Sequence, residues 1–286
     1  MKGVREYLSD NTVIFDGAIA TMLMAKGMPA DESPEGWMLG HPESLRSTHE
    51  EYVHAGAEVL TTNTFGASRV RLREFGLERE IGQICETAVR IAREASEGAL
   101  VAGSIGPLGG VFEEEVAFDV FLEQANLLVK CGVDLILIET MSNLREADIA
   151  LRASTQITSA PVIVNLAFGE GFAHHEKISP ESFSDFFSRK SPFGIGTNCG
   201  GAPEDSIEAT RRMRKFWKGP LLAEPSGGNP VIEDGKPVWF TSPKDFAEIA
   251  LKLRSAGANL IGSCCGTTPE HTFEIAKSIK ETRLYI

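Results

Sequence analysis

Residues 130–139 read KCGVDLILIE, and this short stretch shows the pattern that decides the fold. A helical segment ends in glycine, and a run of aliphatic residues follows at once. The pattern recurs at 54–62 (HAGAEVLTT) and at 255–263 (SAGANLIGS). Glycine just beyond a helix end tolerates the left-handed backbone that turns the chain into the next element. The repeat therefore indicates helices that lead directly into strands.

Eight short apolar runs are spaced along the chain, and helical periodicity fills the intervals between them. We predict strands at 12–16, 58–62, 99–103, 134–139, 161–167, 193–198, 220–224 and 259–263. We predict helices at 43–55, 78–96, 117–131, 143–158, 180–188, 203–216, 243–256 and 269–281. This order favours an α/β fold in which residues 1–286 form a single (β/α)8 TIM barrel. An open doubly wound sheet has the same alternation, but no GxGxxG loop follows a strand here.

Composition and charge exclude several classes of protein. The net charge is −12 over 286 residues, which argues against binding along a nucleic-acid backbone. No apolar run is long enough for a signal peptide or a membrane span. The cysteines number five, an odd count that fits a reducing compartment, so we expect a cytoplasmic protein.

Polar residues stand at the carboxyl end of nearly every predicted strand. Active sites of barrel enzymes are built at that end, from side chains on several strands. We therefore expect these residues to share one rim: Asp16, Thr61, Thr62, Asn63, Ser104, Glu139, Asn165, Asn198, Cys199, Glu224, Cys264 and Cys265.

Three of the cysteines predict a metal site. Cys199 follows the sixth predicted strand, whereas Cys264 and Cys265 follow the eighth, and glycine comes after each site (NCGG and SCCG). Three thiolates leave one position of a tetrahedral zinc ion open, which is the pattern of a catalytic site. The alternative is a buried, inert cysteine, and we interpret Cys85 and Cys131, on apolar helix faces, in that way.

A zinc ion with three thiolate ligands favours thiol chemistry. A free thiol is mostly protonated at neutral pH, and binding to zinc removes its proton. Because three thiolates already outweigh the charge of the ion, an added thiolate stays electron-rich. This environment favours alkyl transfer to sulfur over the water activation that is typical of histidine-ligated zinc.

An amino-acid thiol would need further contacts at the same rim. Asp16 and Glu139 offer carboxylates to an ammonium group, and the backbone after Asp16 offers N–H groups to a carboxylate. We expect both carboxylates to be ionised with and without substrate. The alternatives are a turn-forming Asp-Gly pair and a structural charge at the barrel end.

Six motifs together resemble the homocysteine S-methyltransferase family, and within it the homocysteine-binding module of cobalamin-dependent methionine synthase. They are DGA at 16–18, AGAEVLTTNTFGASR at 55–69, GSIGPLG at 103–109, IET at 138–140, TNCG at 197–200 and GSCCGTTPEH at 262–271. The resemblance implies a barrel in which Cys199, Cys264 and Cys265 hold zinc and activate the thiol. It also implies homocysteine contacts from Asp16, Gly17, Ala18, Thr62 and Glu139, and a reaction that yields methionine.

Two segments depart from the family pattern. The family usually carries P-N-A-G after strand seven, and its Asn approaches the zinc when substrate is absent; here Ser226 replaces that Asn. His174 and His175 stand where the family usually has small residues. A solvated loop is the favoured interpretation of this pair, and a pocket altered for another thiol or donor is the alternative.

The methyl donor is open at this point. No folate or cobalamin module follows the barrel, so we expect a separate donor. A corrinoid protein carrying methylcobalamin is favoured, and S-methylmethionine or betaine are the alternatives. Two further hypotheses are a subunit whose main role is to dock a corrinoid protein, and a barrel with a structural or redox cysteine cluster.

Overall fold

The computed structural model describes residues 3–169, 178–233 and 236–283. Eight parallel strands form its central sheet. They are β1 (Val13–Ile14), β2 (Val59–Thr61), β3 (Leu100–Ile105), β4 (Leu135–Met141), β5 (Val162–Leu166), β6 (Gly194–Cys199), β7 (Leu221–Pro225) and β10 (Leu260–Ile261).

The sheet closes into a barrel. Its strand order is β1-β10-β7-β6-β5-β4-β3-β2, and a parallel bridge between Phe15 and Val59 joins the first strand to the second. All carboxyl ends of the strands therefore lie on one rim. This confirms the predicted (β/α)8 barrel, and the open doubly wound sheet is wrong.

Eight helices lie at the positions predicted from periodicity. They are α4 (Pro42–His54), α6 (Ile81–Ala95), α7 (Glu114–Cys131), α8 (Leu144–Ile157), α9 (Pro180–Ser188), α10 (Pro203–Arg214), α11 (Pro243–Ala256) and α12 (Pro269–Arg283). Ser179 and Ser242 cap α9 and α11, and Gly132 and Gly257 end α7 and α11 with positive φ. Within the described residues, no helix is long and apolar enough to cross a membrane.

Apolar side chains fill the barrel interior. Alternate strand residues point inward and pack together: Val13, Phe15, Val59, Ala102, Leu135, Leu137, Ile163, Leu222 and Leu260. Helix α1 (Val4–Asp10) adds the fully buried Leu8 to this cluster. The Asn259 side chain donates to the Leu8 carbonyl at 2.8 Å, just before β10, so α1 closes the end of the barrel opposite the strand-end rim.

Four short helices and a hairpin were not predicted. They are α1, α2 (Ala20–Ala25), α3 (Pro34–Gly40), α5 (Arg69–Arg73) and the antiparallel pair β8 (Val231–Glu233) and β9 (Lys236–Val238). Each is too short to show a clear period. All except α1 follow the carboxyl end of a strand, so these insertions surround the rim where the predicted site lies.

Candidate active site

The three predicted thiols converge at the barrel rim. Cys199 Sγ lies 2.7 Å from Cys264 Sγ and 3.9 Å from Cys265 Sγ, and the latter two are 3.9 Å apart. Cys199 is buried, and all three cysteines are free thiols. Barrel closure thus brings together residues that are 65 positions apart in the chain.

The backbone conformation at Cys199 and at the Cys264–Cys265 segment brings the three thiols together. Cys199 ends β6 with a φ of 52°, an uncommon value for a residue with a side chain. Gly200 also has a positive φ, and a Cβ there would collide with the Phe168 carbonyl. The second segment is tied to β7, because the Cys264 N–H donates to Pro225 O and the Gly227 N–H donates to Cys265 O, each at 2.9 Å.

The donor set fits a zinc ion. The three sulfur atoms lie within 4.8 Å of one another. Two thiolates that are each 2.3 Å from a tetrahedral zinc ion are about 3.8 Å apart, which matches two of the three separations. The third pair, Cys199 and Cys264, would open by about 1 Å to hold the ion.

Hydrogen bonds within the cluster favour one thiolate. Bonds from the Cys199 and Cys264 thiols lower the pKa of Cys265 to about 3. The Cys199 contact raises the pKa of Cys264 well above its ordinary value, and burial adds to this effect. Negative charge is therefore held at the cluster, as a cation site requires.

Asp16 lies beside the cysteines, directly after β1. It is 2% exposed, and its two carboxyl oxygens accept hydrogen bonds from the Thr61 N–H at 2.8 Å and the Thr61 hydroxyl at 2.9 Å. Burial raises the pKa of Asp16 to about 8, although these bonds act in the opposite direction. The expectation that Asp16 is ionised in the empty pocket is therefore wrong.

Glu139 projects from β4 and is held on both sides. The Ser104 hydroxyl donates to Oε1 at 2.5 Å, and the Asn198 amide donates to Oε2 at 3.1 Å. Asn198 also donates to the Thr140 hydroxyl at 2.7 Å, and Thr140 has a positive φ of 57°. Burial raises the pKa of Glu139 to about 7, so this carboxyl is also partly protonated at neutral pH, contrary to our expectation.

A third carboxyl group, Glu224 at the end of β7, was on the predicted rim but had no assigned role. It is 5% exposed and accepts a hydrogen bond from the Asn165 amide at 3.1 Å. Burial and then the charges of Glu139 and Asp16 raise the pKa of Glu224 well above its ordinary value. The three carboxyls are thus electrostatic neighbours.

The eight residues that the family resemblance assigns to zinc and homocysteine all line one cavity of about 420 Å³, whereas Asn165, which was also expected at the rim, does not line it. A Cβ at Gly17 would lie 2.8–2.9 Å from the hydroxyls of Ser263, Tyr52 and Thr267, so the backbone there leaves no room for a side chain. The Ala18 N–H donates to Thr267 Oγ1 at 3.3 Å. The Thr62 hydroxyl accepts from the Ser104 N–H at 3.1 Å.

Comparisons with known proteins agree with this geometry. The sequence model of the family described as homocysteine S-methyltransferase matches residues 13–279. The chain belongs to the homocysteine S-methyltransferase family.

Curated relatives from this family are much longer. The chain is 28% identical over 301 residues to methionine synthase of Mycobacterium leprae (strain TN), which covers 96% of this chain and 25% of that protein. The identity to methionine synthase of Mycobacterium tuberculosis (strain ATCC 25618 / H37Rv) is 28% over 303 residues, with the same coverage. The chain therefore spans about a quarter of the length of these relatives.

Solved structures share the fold. The metallated form of the Escherichia coli homocysteine methyltransferase MmuM has a TM-score of 0.77 at 23% identity, over 93% of this chain and 96% of that chain. Its oxidised form has a TM-score of 0.76 at 24% identity, over 95% of both chains.

Several cavity residues of this family member were not singled out from the sequence. Ser263 lines the cavity, as do Glu35, Phe65, Arg71 and Phe75 from the segments around α3 and α5. Tyr52 and Thr267 lie behind it, where each forms a hydrogen bond with the backbone of Ala18. Ser104 and Asn198 were noted only as polar strand ends. The position of Ser104 and Asn198 at the ends of predicted strands was the signal that could have identified them. The residues from the short insertions have no such signal in the sequence.

The departures from the family pattern have different outcomes. Ser226 is buried between the two backbone hydrogen bonds that join β7 to the Cys264–Cys265 segment. His174 and His175 lie outside the described residues.

Cys85 is fully buried, and burial raises its pKa to about 12, which agrees with an inert thiol.

Proposed function

We propose that this chain is a zinc-dependent homocysteine S-methyltransferase that produces methionine. One observation carries the proposal: three thiols line one cavity at the barrel rim together with four carboxyl groups, those of Asp16, Glu35, Glu139 and Glu224. A metal-activated thiol and an amino-acid ammonium group are the two features of homocysteine that such a site would recognise.

Each group would have a separate task. Cys199, Cys264 and Cys265 would hold zinc, which supplies a Lewis acid that keeps the substrate thiol deprotonated. Asp16 and Glu139 would bind the ammonium group. Gly17, Ala18 and Thr62 would surround the remainder of the amino acid, since a side chain at Gly17 would fill the space beside Ser263.

A protein-borne methyl donor, a corrinoid carrying methylcobalamin, is our proposal for the second substrate. Large apolar side chains are exposed at the barrel mouth: Phe65 and Phe75, which line the cavity, and Val111, which follows β3. Exposed apolar groups beside a cavity favour a protein partner over a small hydrophilic donor. The relatives named methionine synthase, which extend far beyond the barrel, support the same choice.

A reducing compartment suits this site, because three neighbouring thiols stay available to a metal only where they are kept reduced. We therefore propose a cytoplasmic location.

A donor screen tests the proposed function. Zinc-loaded protein is incubated with homocysteine and one of four donors: a methylated corrinoid protein, free methylcobalamin, S-methylmethionine or betaine. Mass spectrometry should detect methionine, most rapidly with the corrinoid protein, and Cys264→Ala should produce none. Product from S-methylmethionine or betaine alone would replace the proposed donor, and no methionine with any donor would contradict the function.

A further inference from the structure

Strand β4 contains a bulge at Glu139 and Thr140. The register of its pairing with β5 shifts between Ile138 and Met141, so two residues of β4 lie opposite one residue of β5. Thr140 has a positive φ of 57°, which is uncommon for a residue with a branched side chain. Bulges beside active sites change the direction of side chains, and here both residues of the bulge line the cavity.

Asn198 holds this bulge from another strand. Its side-chain oxygen accepts from the Thr140 N–H at 2.8 Å, and its amide donates to the Thr140 hydroxyl at 2.7 Å and to Glu139 Oε2 at 3.1 Å. Asn198 lies on β6, and β5 stands between β6 and β4 in the sheet. The side chain is fully buried, where the loss of hydrogen bonds is costly. One residue therefore ties the bulge to a strand that does not pair with β4.

The residue that follows Asn198 on β6 is Cys199, which belongs to the cysteine cluster. Cys199 also has a positive φ, and its Sγ atom lies 2.7 Å from Cys264 Sγ. Uncommon backbone conformations of this kind persist only where the surrounding structure fixes them. Asn198 thus links the two strained positions directly, through its side chain to Thr140 and through one peptide bond to Cys199.

We propose that Asn198 is a positioning residue that fixes the separation between Glu139 and the cysteine cluster, and thereby selects the chain length of the amino thiol. The proposal rests on the function proposed above, in which Glu139 binds the ammonium group and the cysteines hold zinc. Each methylene group lengthens a thiol by one C–C bond of about 1.5 Å. A site whose two ends are held in place favours one length, and one methylene group changes enzyme specificity by roughly tenfold to two-hundredfold.

Binding of three amino thiols tests the assignment. Cysteine, homocysteine and 2-amino-5-sulfanylpentanoic acid form a series in which each member is one methylene group longer. They are titrated calorimetrically into zinc-loaded wild-type protein, Asn198→Ala and Asn259→Ala. Asn259 is the matched control, because it forms a similar bridge at the opposite end of the barrel: its oxygen accepts from the Leu221 N–H and its amide donates to the Leu8 carbonyl, both at 2.8 Å. Metal content and thermal unfolding show whether each variant keeps the cluster and the fold.

We expect wild-type protein and Asn259→Ala to prefer homocysteine over both other thiols by roughly tenfold or more. Asn198→Ala should keep its zinc but lower this preference to about threefold or less, because Glu139 is no longer held at one distance from the cluster. A wild-type preference in folded, zinc-loaded Asn198→Ala would overturn the assignment. Loss of the zinc from that variant would overturn it too, since Asn198 would then support the metal site alone.

A second variant keeps the test decisive if Asn198→Ala does not fold. Thr140→Val removes the hydroxyl that accepts from Asn198 but keeps the bond from the Thr140 N–H, so its preference should be weaker than that of wild type. An unchanged preference would overturn the assignment. If wild-type protein binds homocysteine without regard to its length, the assignment fails and the proposed function stands, whereas binding of none of the three thiols would contradict the proposed function itself.

Discussion

Cys199 illustrates how single residues set the chemistry of this barrel. Its positive φ directs the thiol toward Cys264 and Cys265, although these residues come from a different strand. A strained backbone of this kind persists only where neighbouring structure fixes it, and here Gly200 fits beneath the Phe168 carbonyl. The backbone at this position therefore fixes the direction of the Cys199 thiol.

We predict about one zinc ion per chain and its loss when any of the three cysteines is removed. Cys199→Ala, Cys264→Ala and Cys265→Ala should each lose most of the metal and abolish methyl transfer, because two thiolates are too few for a stable open site. Cys131→Ala is the matched control, since this half-buried thiol ends α7 and should leave the zinc content unchanged. Elemental analysis and methionine formation are the measurements. Full activity in a metal-free preparation would end the zinc hypothesis.

We predict that Glu139→Gln separates substrate binding from metal binding. The variant keeps the shape that Ser104 and Asn198 surround but loses the carboxylate, so homocysteine affinity should fall roughly tenfold to a hundredfold. Zinc content should not change. Glu146→Gln is the control, because its carboxyl accepts bonds from Leu108 and Asn143 at the start of α8 instead of lining the cavity. An unchanged homocysteine titration would make Glu139 a structural end-cap.

Site residues were predictable where they terminate an apolar strand. Asp16 and Glu139 each follow a run of apolar residues, and Cys199 follows the sixth predicted strand, all at the end that barrel enzymes use. Their protonation was not predictable, because it depends on how deeply neighbouring elements bury them. Burial raises the pKa of Asp16 to about 8, and the sequence carries no measure of that burial.

At the scale of elements, short segments limited what the sequence could predict. Helices such as α6 and α8 contain three or more turns, so their periodicity was visible. Helix α5 contains five residues, and strand β8 of the hairpin has three exposed residues without apolar alternation. Such segments are held by tertiary contacts: Trp239, just after β9, packs against Gly266 beside the cysteines.

Helix α4 contains an unusual buried group. His49 is fully buried, and neither ring nitrogen has a partner among the described residues. Burial lowers the pKa of His49 to about 4 from its ordinary value of 6.5, so the folded protein holds the ring neutral. The unfolded chain takes up a proton below pH 6.5, whereas the folded chain does so only near pH 4. Stability from this residue is therefore complete above pH 6.5 and is lost as the pH falls toward 4.

We predict that His49→Leu removes this pH dependence. Relative to the variant, the wild type should lose about 3 kcal/mol of unfolding free energy between pH 7 and pH 4. The measurement is urea unfolding of both proteins across that range. His54→Gln, at the exposed end of the same helix, is the control and should keep the wild-type dependence. Parallel curves for wild type and His49→Leu would show that His49 does not act in this way.

At the scale of the whole molecule, the cavity brings together many acidic groups in a chain that is itself acidic. The chain has a net charge of −12, and four carboxyls and three thiols line one cavity. Burial keeps the pKa of Asp16 at about 8 and that of Glu139 at about 7, so protons remain on these groups in the empty cavity at neutral pH. An arriving ammonium group favours the ionised carboxylates and expels part of these protons. Substrate binding should therefore release more protons than the thiol alone supplies.

The central claim is that homocysteine binds as a thiolate, and counting protons tests it most directly. Calorimetry in buffers of different ionisation enthalpy gives the protons released when homocysteine or methionine binds to the zinc-loaded protein. Methionine has the same ammonium and carboxylate groups but no thiol proton, so the difference isolates that proton. We expect a difference near one at pH 7, because the free thiol is mostly protonated there, and a decline toward zero above the thiol pKa of about 8.5. A difference near zero at pH 7 would contradict thiolate binding, even in a protein that contains zinc.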